Sequence, residues 1–388
     1  MARSIPDEPR YNLHTMKTAS RRTSRVTIRQ FQSGDREAFL SLYEQVFGRG
    51  RSSAWFRWKY EDNPYVDHVP IVVAEDDGRL VGCRSLFAQE MRGHGTVRTA
   101  FQPCDTMVHS DYRRRGLFDR MNERTLERYA ESGPSFFFNF PNEASKRGNL
   151  NHGWREIGTV PLYYRVRDPV GALERWTDGT GAKAPVRADG RAATAVAKSF
   201  ASRLAEGAHR TGDRLLAPDA EIALERHESS PAEALATAYR RSIPEAMHTN
   251  RTATFYRWRL ANPEHAYTTY VARRDGEPVA ALVTADVDDR VRIVETVPRA
   301  LEAERGALER LLVAALADRE RREFVTAFGE TLPRPIRYRF FPDTRPPLST
   351  VVRPSSRTLL ARDLDASAAV ENSSIDDWTF SRLDLDTT

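Results

Sequence analysis

Three arginines run into a glycine at Arg113-Arg114-Arg115-Gly116, inside HSDYRRRGLFDRM (His109 to Met121), and that arrangement suits the binding of a phosphate. At a helix N-terminus the first backbone N–H groups lack intrahelical partners, and the positive end of the helix dipole lies beside them. A glycine there lets the main chain approach an anion closely. The flanking residues meet the demand that the run feed a helix. Thr106 to Val108 continue an apolar strand, and Leu117, Met121, Leu126 and Tyr129 then recur at helical spacing. The plain alternative for the same arginines is a solvated charged turn.

Two further stretches carry groups able to move protons. Asp105 lies on the strand that leads into the arginine run, on the face opposite Thr106. FNFPNEASKRGNLNHGW (Phe138 to Trp154) reads as a strand, a short helix and a closing Gly-Trp pair, with His152 near its end. The two cysteines, Cys83 and Cys104, are too few for a disulfide framework or a metal cluster by themselves, and Cys104 reads as a small buried hydrophobe. Trp55, Trp58, Tyr60 and Trp258 read as packing residues.

Arg113 to Phe118 resembles motif A of the GNAT acyltransferase superfamily, R/Q-x-x-G-x-G/A, with Phe118 in place of the usual small residue. Arg-Arg-Arg-Gly-Leu followed by a large apolar residue is similar to the form found in enhanced-intracellular-survival-type GNAT proteins, which also carry tandem GNAT domains. Asn142, Ser145, Gly153 and Trp154 resemble motif B of the same superfamily. The resemblance implies acetyl-CoA as cosubstrate, its pyrophosphate held by the loop Arg113, Arg114, Arg115, Gly116, Leu117 and Phe118. It places the pantetheine arm against the main chain of Met107 and Val108, with Asn142 and Ser145 nearby, and it calls for no metal.

The activity implied is direct transfer of an acetyl group to a primary amine of a small or sugar-like acceptor. Such a transfer needs a carboxylate to take the amine's proton, for which Asp105 is the first choice, and an acid for the leaving thiolate. The family's acid is often a tyrosine shortly before the end of motif B. Here that neighbourhood reads Gly148-Asn149-Leu150-Asn151-His152, so His152, or Tyr163 or Tyr164 from the next strand, is expected instead. A Fem-type aminoacyl transferase using charged tRNA is the second reading, and a non-catalytic acyl-CoA-binding protein the third.

The elements that must hold these residues occur twice. WFRWKYEDNP (Trp55 to Pro64) returns as FYRWRLANP (Phe255 to Pro263), and IVVAEDDGRLVG (Ile71 to Gly82) as TYVARRDGEPVA (Thr269 to Ala280). CDTMV (Cys104 to Val108) and RRGLFDRM (Arg114 to Met121) return as IVETV (Ile293 to Val297) and ERGALERL (Glu304 to Leu311), at a separation of roughly 200 residues. Each unit reads strand, helix, strand, strand, strand, helix, strand. The expected fold is therefore α/β, with two tandem GNAT-like mixed domains and the second degenerate. Its Glu302-Ala303-Glu304 would repel a pyrophosphate where the first unit offers arginines.

The layout expected is a flexible basic arm over residues 1–25, an N-terminal GNAT domain over 26–167 and a connector with one helix over 168–220. A degenerate GNAT-like domain over 221–365 and a mobile acidic tail over 366–388 complete it. At 388 residues, with 40% hydrophobic and 29% charged residues, the chain has the composition of a soluble globular protein. No apolar run reaches membrane-spanning length, so no membrane insertion is expected and the cytoplasm is the expected location. The net charge of +5 favours anionic ligands weakly. Nucleic acid is not an expected partner, and oligomeric state is left open.

Overall fold

The repeated segments build two mixed β-sheets that lock into each other. The computed structural model of the protein describes residues 26–131, 133–166, 221–287, 290–318, 324–337, 339–346, 348–351 and 357–387. The basic arm and the connector with its helix lie outside the described residues.

The first half runs β1 (Thr27–Gln30), α1 (Arg36–Phe47), α2 (Ser53–Phe56, continued as a π-helical turn to Glu61), β2 (Ile71–Asp76), β3 (Arg79–Gly93) and β4 (Thr96–Val108). It continues through α3 (Leu117–Tyr129), β5 (Phe136–Asn139), α4 (Glu143–Asn151), β6 (Arg155–Val160) and β7 (Leu162–Val166). The second half runs β8 (Ala223–His227), α5 (Ala232–Arg240), β9 (His248–Thr249), α6 (Ala253–Arg259), β10 (Tyr267–Arg274), β11 (Glu277–Val287) and β12 (Arg290–Val297). After it come α7 (Arg305–Ala317), β13 (Phe324–Phe328), β14 (Phe341–Pro342) and β15 (Arg357–Asp363).

The duplication read in the sequence is carried by the same local chemistry in both halves. Ser52 and Thr252 cap their helices through side chains that accept from Trp55 N–H and Phe255 N–H. Asp77-Gly78 and Asp275-Gly276 join their hairpins with both residues at positive φ, the conformation that matches the twist of paired strands.

The strand order of the first sheet is β1-β2-β3-β4-β5-β15-β6, and that of the second is β14-β7-β13-β12-β11-β10-β8. β4 pairs with β5, and β12 with β13, in parallel; the principal pairings around them are antiparallel. The halves exchange strands. β15, late in the chain, pairs with β5 (Leu360 opposite Asn139) and with β6, while β7 pairs with β13 (Phe328 opposite Leu162). β15 thus lies within the stretch expected for the second domain but completes the sheet of the first half, and Tyr163 and Tyr164 belong to the sheet of the second.

A single apolar cluster spans the junction, uniting Phe39, Trp55, Phe56 and Phe87 with Leu235, Tyr239, Phe255 and Val283. At its centre Trp58 and Trp258 exchange hydrogen bonds, each indole N–H donating to the other's backbone carbonyl at 2.7 and 2.8 Å.

The expectation of a mobile acidic tail is corrected. Trp378, Phe380, Leu383 and Leu385 are buried, and so is Asp384. The carboxylate of Asp384 meets the Arg251 guanidinium at 2.8 Å, and Arg251 also binds Glu295 at 2.7 Å. Buried arginines therefore neutralise what the composition presents as solvated charge.

Candidate active site

The site is organised by a defect in β4. This strand pairs with β3 along its length but with β5 only at Ala100 and Phe101. Beyond Phe101 the two parallel strands separate, and a bulge at Asp105, whose φ is +43°, turns the strand further. The same separation recurs in the second half, where β12 leaves β13 after Ile293.

On one face of the first sheet, beyond the end of β4, lies the arginine loop. Ser110 to Tyr112 form a single 3₁₀ turn, Arg113 is extended, Arg114 adopts φ +60° and Gly116 adopts φ +70° as the N-cap of α3. Gly116 supplies no side-chain cap, so the first amides of α3 remain open for an anion. The positive φ at Arg114 and Gly116 curves the main chain into a concavity of the kind that binds anions. Arg113, Arg114 and Arg115 are exposed and form no ion pair among the described residues. Arg115 lies over the ring of Tyr112 at 4.8 Å, and Arg113 donates to the Val108 carbonyl at 3.3 Å.

Three further contacts shape this face. Phe118 lies against Gly148 of α4, Arg84 of β3 stacks over the Phe118 ring at 5.1 Å, and Asp119 meets His152 Nε2 at 3.0 Å. Arg84 is buried and donates to Asn149 at 3.2 Å, and burial lowers its pKa to about 10. Asn142 caps α4, its side chain accepting from Ser145 N–H at 2.9 Å. The second half differs where the loop matters most. Its Glu304, at the N-cap of α7, binds Arg241 and Arg274, each at 3.2 Å, so there the arginines are held by a carboxylate.

On the opposite face, Asp105 projects into a cavity of about 450 Å³ lined by both halves of the chain. Its carboxylate accepts from Lys59 Nζ at 2.6 Å and from the Tyr60 hydroxyl at 2.5 Å. Asp386, from the docked C-terminal segment, stands 3.6 Å from the same ammonium. Lys59 is wholly buried. Burial alone would discharge it, yet Asp105 and Asp386 hold its pKa above the ordinary lysine value. Asp386 moves the other way. Burial raises its pKa, the Lys59 ammonium opposes, and the Asp105 carboxylate adds to the rise. Tyr43, Trp55 and Trp58 form an aromatic wall, so these rings both pack the core and line the cavity.

The structure thus brings Asp105 together with Tyr60, read in the sequence as a packing residue, and with Lys59 and Asp386, which were not singled out. It places His152 and Tyr163, the expected proton donors, elsewhere. His152 is tied to Asp119 beside α3, and Tyr163 stands in β7, opposite Ala327 in the second sheet. The exchange of strands is the reason for Tyr163. Met107 is buried in the central core, and Val108 ends β4 next to the arginine loop. Cys104 is also buried, and burial raises its thiol pKa well above normal, as suits a packing residue.

Residues 27–155 match the family model described as an acetyltransferase (GNAT) domain. Over those residues the chain is similar to a GNAT acetyltransferase domain. Solved structures extend the GNAT likeness in fold to most of the chain. A GCN5-related N-acetyltransferase from Kribbella flavida superposes with a TM-score of 0.59 at 15% identity, covering 90% of this chain and 73% of that one. A GCN5-related N-acetyltransferase from Anabaena variabilis gives 0.59 at 11% identity, with 90% and 75% covered. Eis1 from Mycobacterium abscessus gives 0.50 at 15% identity, with 90% and 76% covered. No curated protein matches the sequence.

The separation of β4 from β5 opens the sheet between the arginine loop on one face and the cavity on the other. Among the described residues, no group of His, Cys, Asp and Glu side chains is placed to hold a metal ion, and no helix is long and apolar enough to cross a membrane.

Proposed function

We propose that the protein transfers an acetyl group from acetyl-CoA to a primary amine of a small acceptor by direct attack. The observation that carries this reading is the position of Asp105. It sits at the bulge where β4 leaves β5, with its carboxylate in the cavity and the arginine loop at the end of the same strand.

The open amides of Gly116, Leu117 and Phe118 and the guanidinium groups of Arg113, Arg114 and Arg115 fit a pyrophosphate. The unpaired edge of β4 through Met107 and Val108 fits the main-chain pairing of a pantetheine arm. Asn142 and Ser145 order the start of α4 beside that edge. Bound acetyl-CoA supplies an activated thioester, and the chain's own groups do the rest.

The amine must be neutral to attack, so its proton has to leave as the new C–N bond forms. Asp105 and Asp386 share the Lys59 ammonium and form the accepting pair. Burial makes Asp386 more basic than an ordinary carboxyl group, opposed by the Lys59 ammonium and reinforced by Asp105. Tyr60 holds Asp105 in place through its hydroxyl. The C–S bond then breaks, and the proton taken from the amine returns to the CoA sulfur.

The test is acceptor-dependent release of CoA thiol from acetyl-CoA across a panel of primary amines, with the acetylated product identified by mass. Turnover by the wild type and its loss in Asp105→Asn supports the reading. Transfer that requires charged tRNA and ignores acetyl-CoA would replace it.

A further inference from the structure

We infer that Arg84 and Asn149 form a subsite for a carboxylate on the acyl chain of the CoA thioester, so that the preferred donor is a carboxyacyl-CoA. This inference rests on the transferase reading and specifies its donor. Acetyl-CoA fits the same groove but leaves the subsite empty.

Arg84 lies opposite the bulge of β4. Cys83 pairs with Met107 and Ser85 with Cys104, so Asp105 and Thr106 together face Arg84. The two charged side chains leave this point on opposite faces of the sheet. Asp105 enters the cavity, whereas Arg84 stacks against the Phe118 ring and reaches Asn149 of α4. A thioester laid along β4 from the arginine loop thus has the attacking amine on one side and Arg84 on the other.

The subsite offers donors without acceptors. Arg84 is 2% exposed, and Asn149 and Asn122 are each 1% exposed. Arg84 Nε, Asn149 Nδ2 and Asn122 Nδ2, the last from α3 one turn beyond Phe118, have no hydrogen-bond partner among the described residues. Such buried orphans are rare in folded proteins and call for a missing acceptor. Burial lowers the Arg84 pKa to about 10, and no carboxylate opposes that fall. Other buried arginines of this chain are satisfied from within. Arg251 meets Glu295 and Asp384, Arg299 meets Glu295, and Arg259 meets the carbonyls of Leu383 and Leu385. At Arg84 the fold supplies only the Asn149 side-chain oxygen, at 3.2 Å.

A neutral carbonyl would satisfy the N–H groups and leave the buried charge uncompensated. A carboxylate accepts from guanidinium and amide together and neutralises the charge as well. It takes no part in the bond changes. The C–N bond forms at the thioester carbon, the C–S bond breaks, and the amine's proton passes to the CoA sulfur, while the distal carboxylate stays on Arg84.

The test measures, by calorimetry, the affinity of the full chain for malonyl-, succinyl- and glutaryl-CoA against propionyl-, butyryl- and pentanoyl-CoA, their uncharged counterparts of equal length, and against acetyl-CoA. Each is measured with the wild type, Arg84→Met and Asn149→Asp. The expected result is at least about tenfold tighter binding of one carboxyacyl thioester than of its uncharged counterpart, because only that thioester fills the unpaired site. Arg84→Met should erase the preference. Asn149→Asp places a carboxylate beside Arg84, so it should erase the preference too and raise the thermal midpoint of the free protein, which also shows that the variant folds. No preference for any carboxyacyl thioester in the wild type, or a preference that survives both variants, would overturn the inference while leaving the transferase reading intact. Failure to bind any CoA thioester would remove the transferase reading, and this inference with it.

Discussion

Trp58 and Trp258 donate their indole N–H groups to each other's backbone carbonyls, with ring centroids 6.1 Å apart. They hold equivalent positions in the two repeats, so the contact is self-complementary, as at the axis of a symmetric dimer. Here the dimer is written into one chain, and the apolar cluster around the pair belongs to both halves. Replacing Trp58 with Phe keeps most of the packing but leaves the Trp258 carbonyl without its donor. A loss of about 1–3 kcal/mol is expected in chemical denaturation. A double-mutant cycle with Trp258→Phe should show non-additivity, because both substitutions disrupt one contact.

The repeat itself was legible in the sequence because its signals are local. Helix caps, Asp-Gly turns and the alternation of strands depend on neighbours a few residues apart. The exchange of β7 and β15 depends on which of two similar sheets receives each strand. Alternation at Leu162 to Val166 satisfies either sheet, so the pattern cannot choose. Asp105 and the arginine loop stood out by motif spacing, whereas Lys59 and Tyr60 lay in a repeated segment that read as packing and Asp386 lay in the acidic tail. Asp386 is brought to Asp105 only because Arg251 and Arg259 anchor the preceding residues, Arg259 through the carbonyls of Leu383 and Leu385.

Phe118 explains how this GNAT domain tolerates a large residue at a usually small position. An ideal Cβ on residue 148 would fall 2.3 Å from Phe118 Cε1, so the ring uses space that Gly148 leaves. Gly148→Ala should cost about 1–3 kcal/mol through overpacking. Adding Phe118→Leu should recover part of that loss, which thermal denaturation of the two single variants and the double variant would measure.

Asp384 links the C-terminal segment to the rest of the protein. Burial alone would raise its pKa, but Arg251 and its hydrogen bonds hold it far below the carboxylate range. The sign follows from linkage. A depressed folded-state pKa contributes stability above the unfolded value, near 3.9, and that contribution is lost as pH falls toward the folded value. Asp384→Asn should destabilise the protein by about 3 kcal/mol at neutral pH, since it breaks a buried ion pair from one side. Its stability should also fall less steeply than that of the wild type below pH 4, as denaturation curves over that range would record.

Asp105→Asn should lower kcat by about a hundredfold or more while acetyl-CoA still binds, because the carboxylate acts on the amine. In the wild type, kcat/KM should rise with pH as Asp386 ionises. The raised Asp386 pKa moves that rise above the range of ordinary aspartates. Asp386→Asn should shift the acidic limb of the profile, a change that pH-rate measurements on both proteins would reveal.

The most direct test of the account is acetyl-CoA binding by calorimetry to the wild type and to an Arg113→Glu/Gly116→Asp double variant. The arginine loop is proposed to bind the pyrophosphate through open amides and guanidinium groups, and the double variant places two carboxylates there. The account predicts micromolar affinity, about −8 kcal/mol, for the wild type and loss of binding in the variant. No binding by the wild type, or equal binding by both, would contradict it.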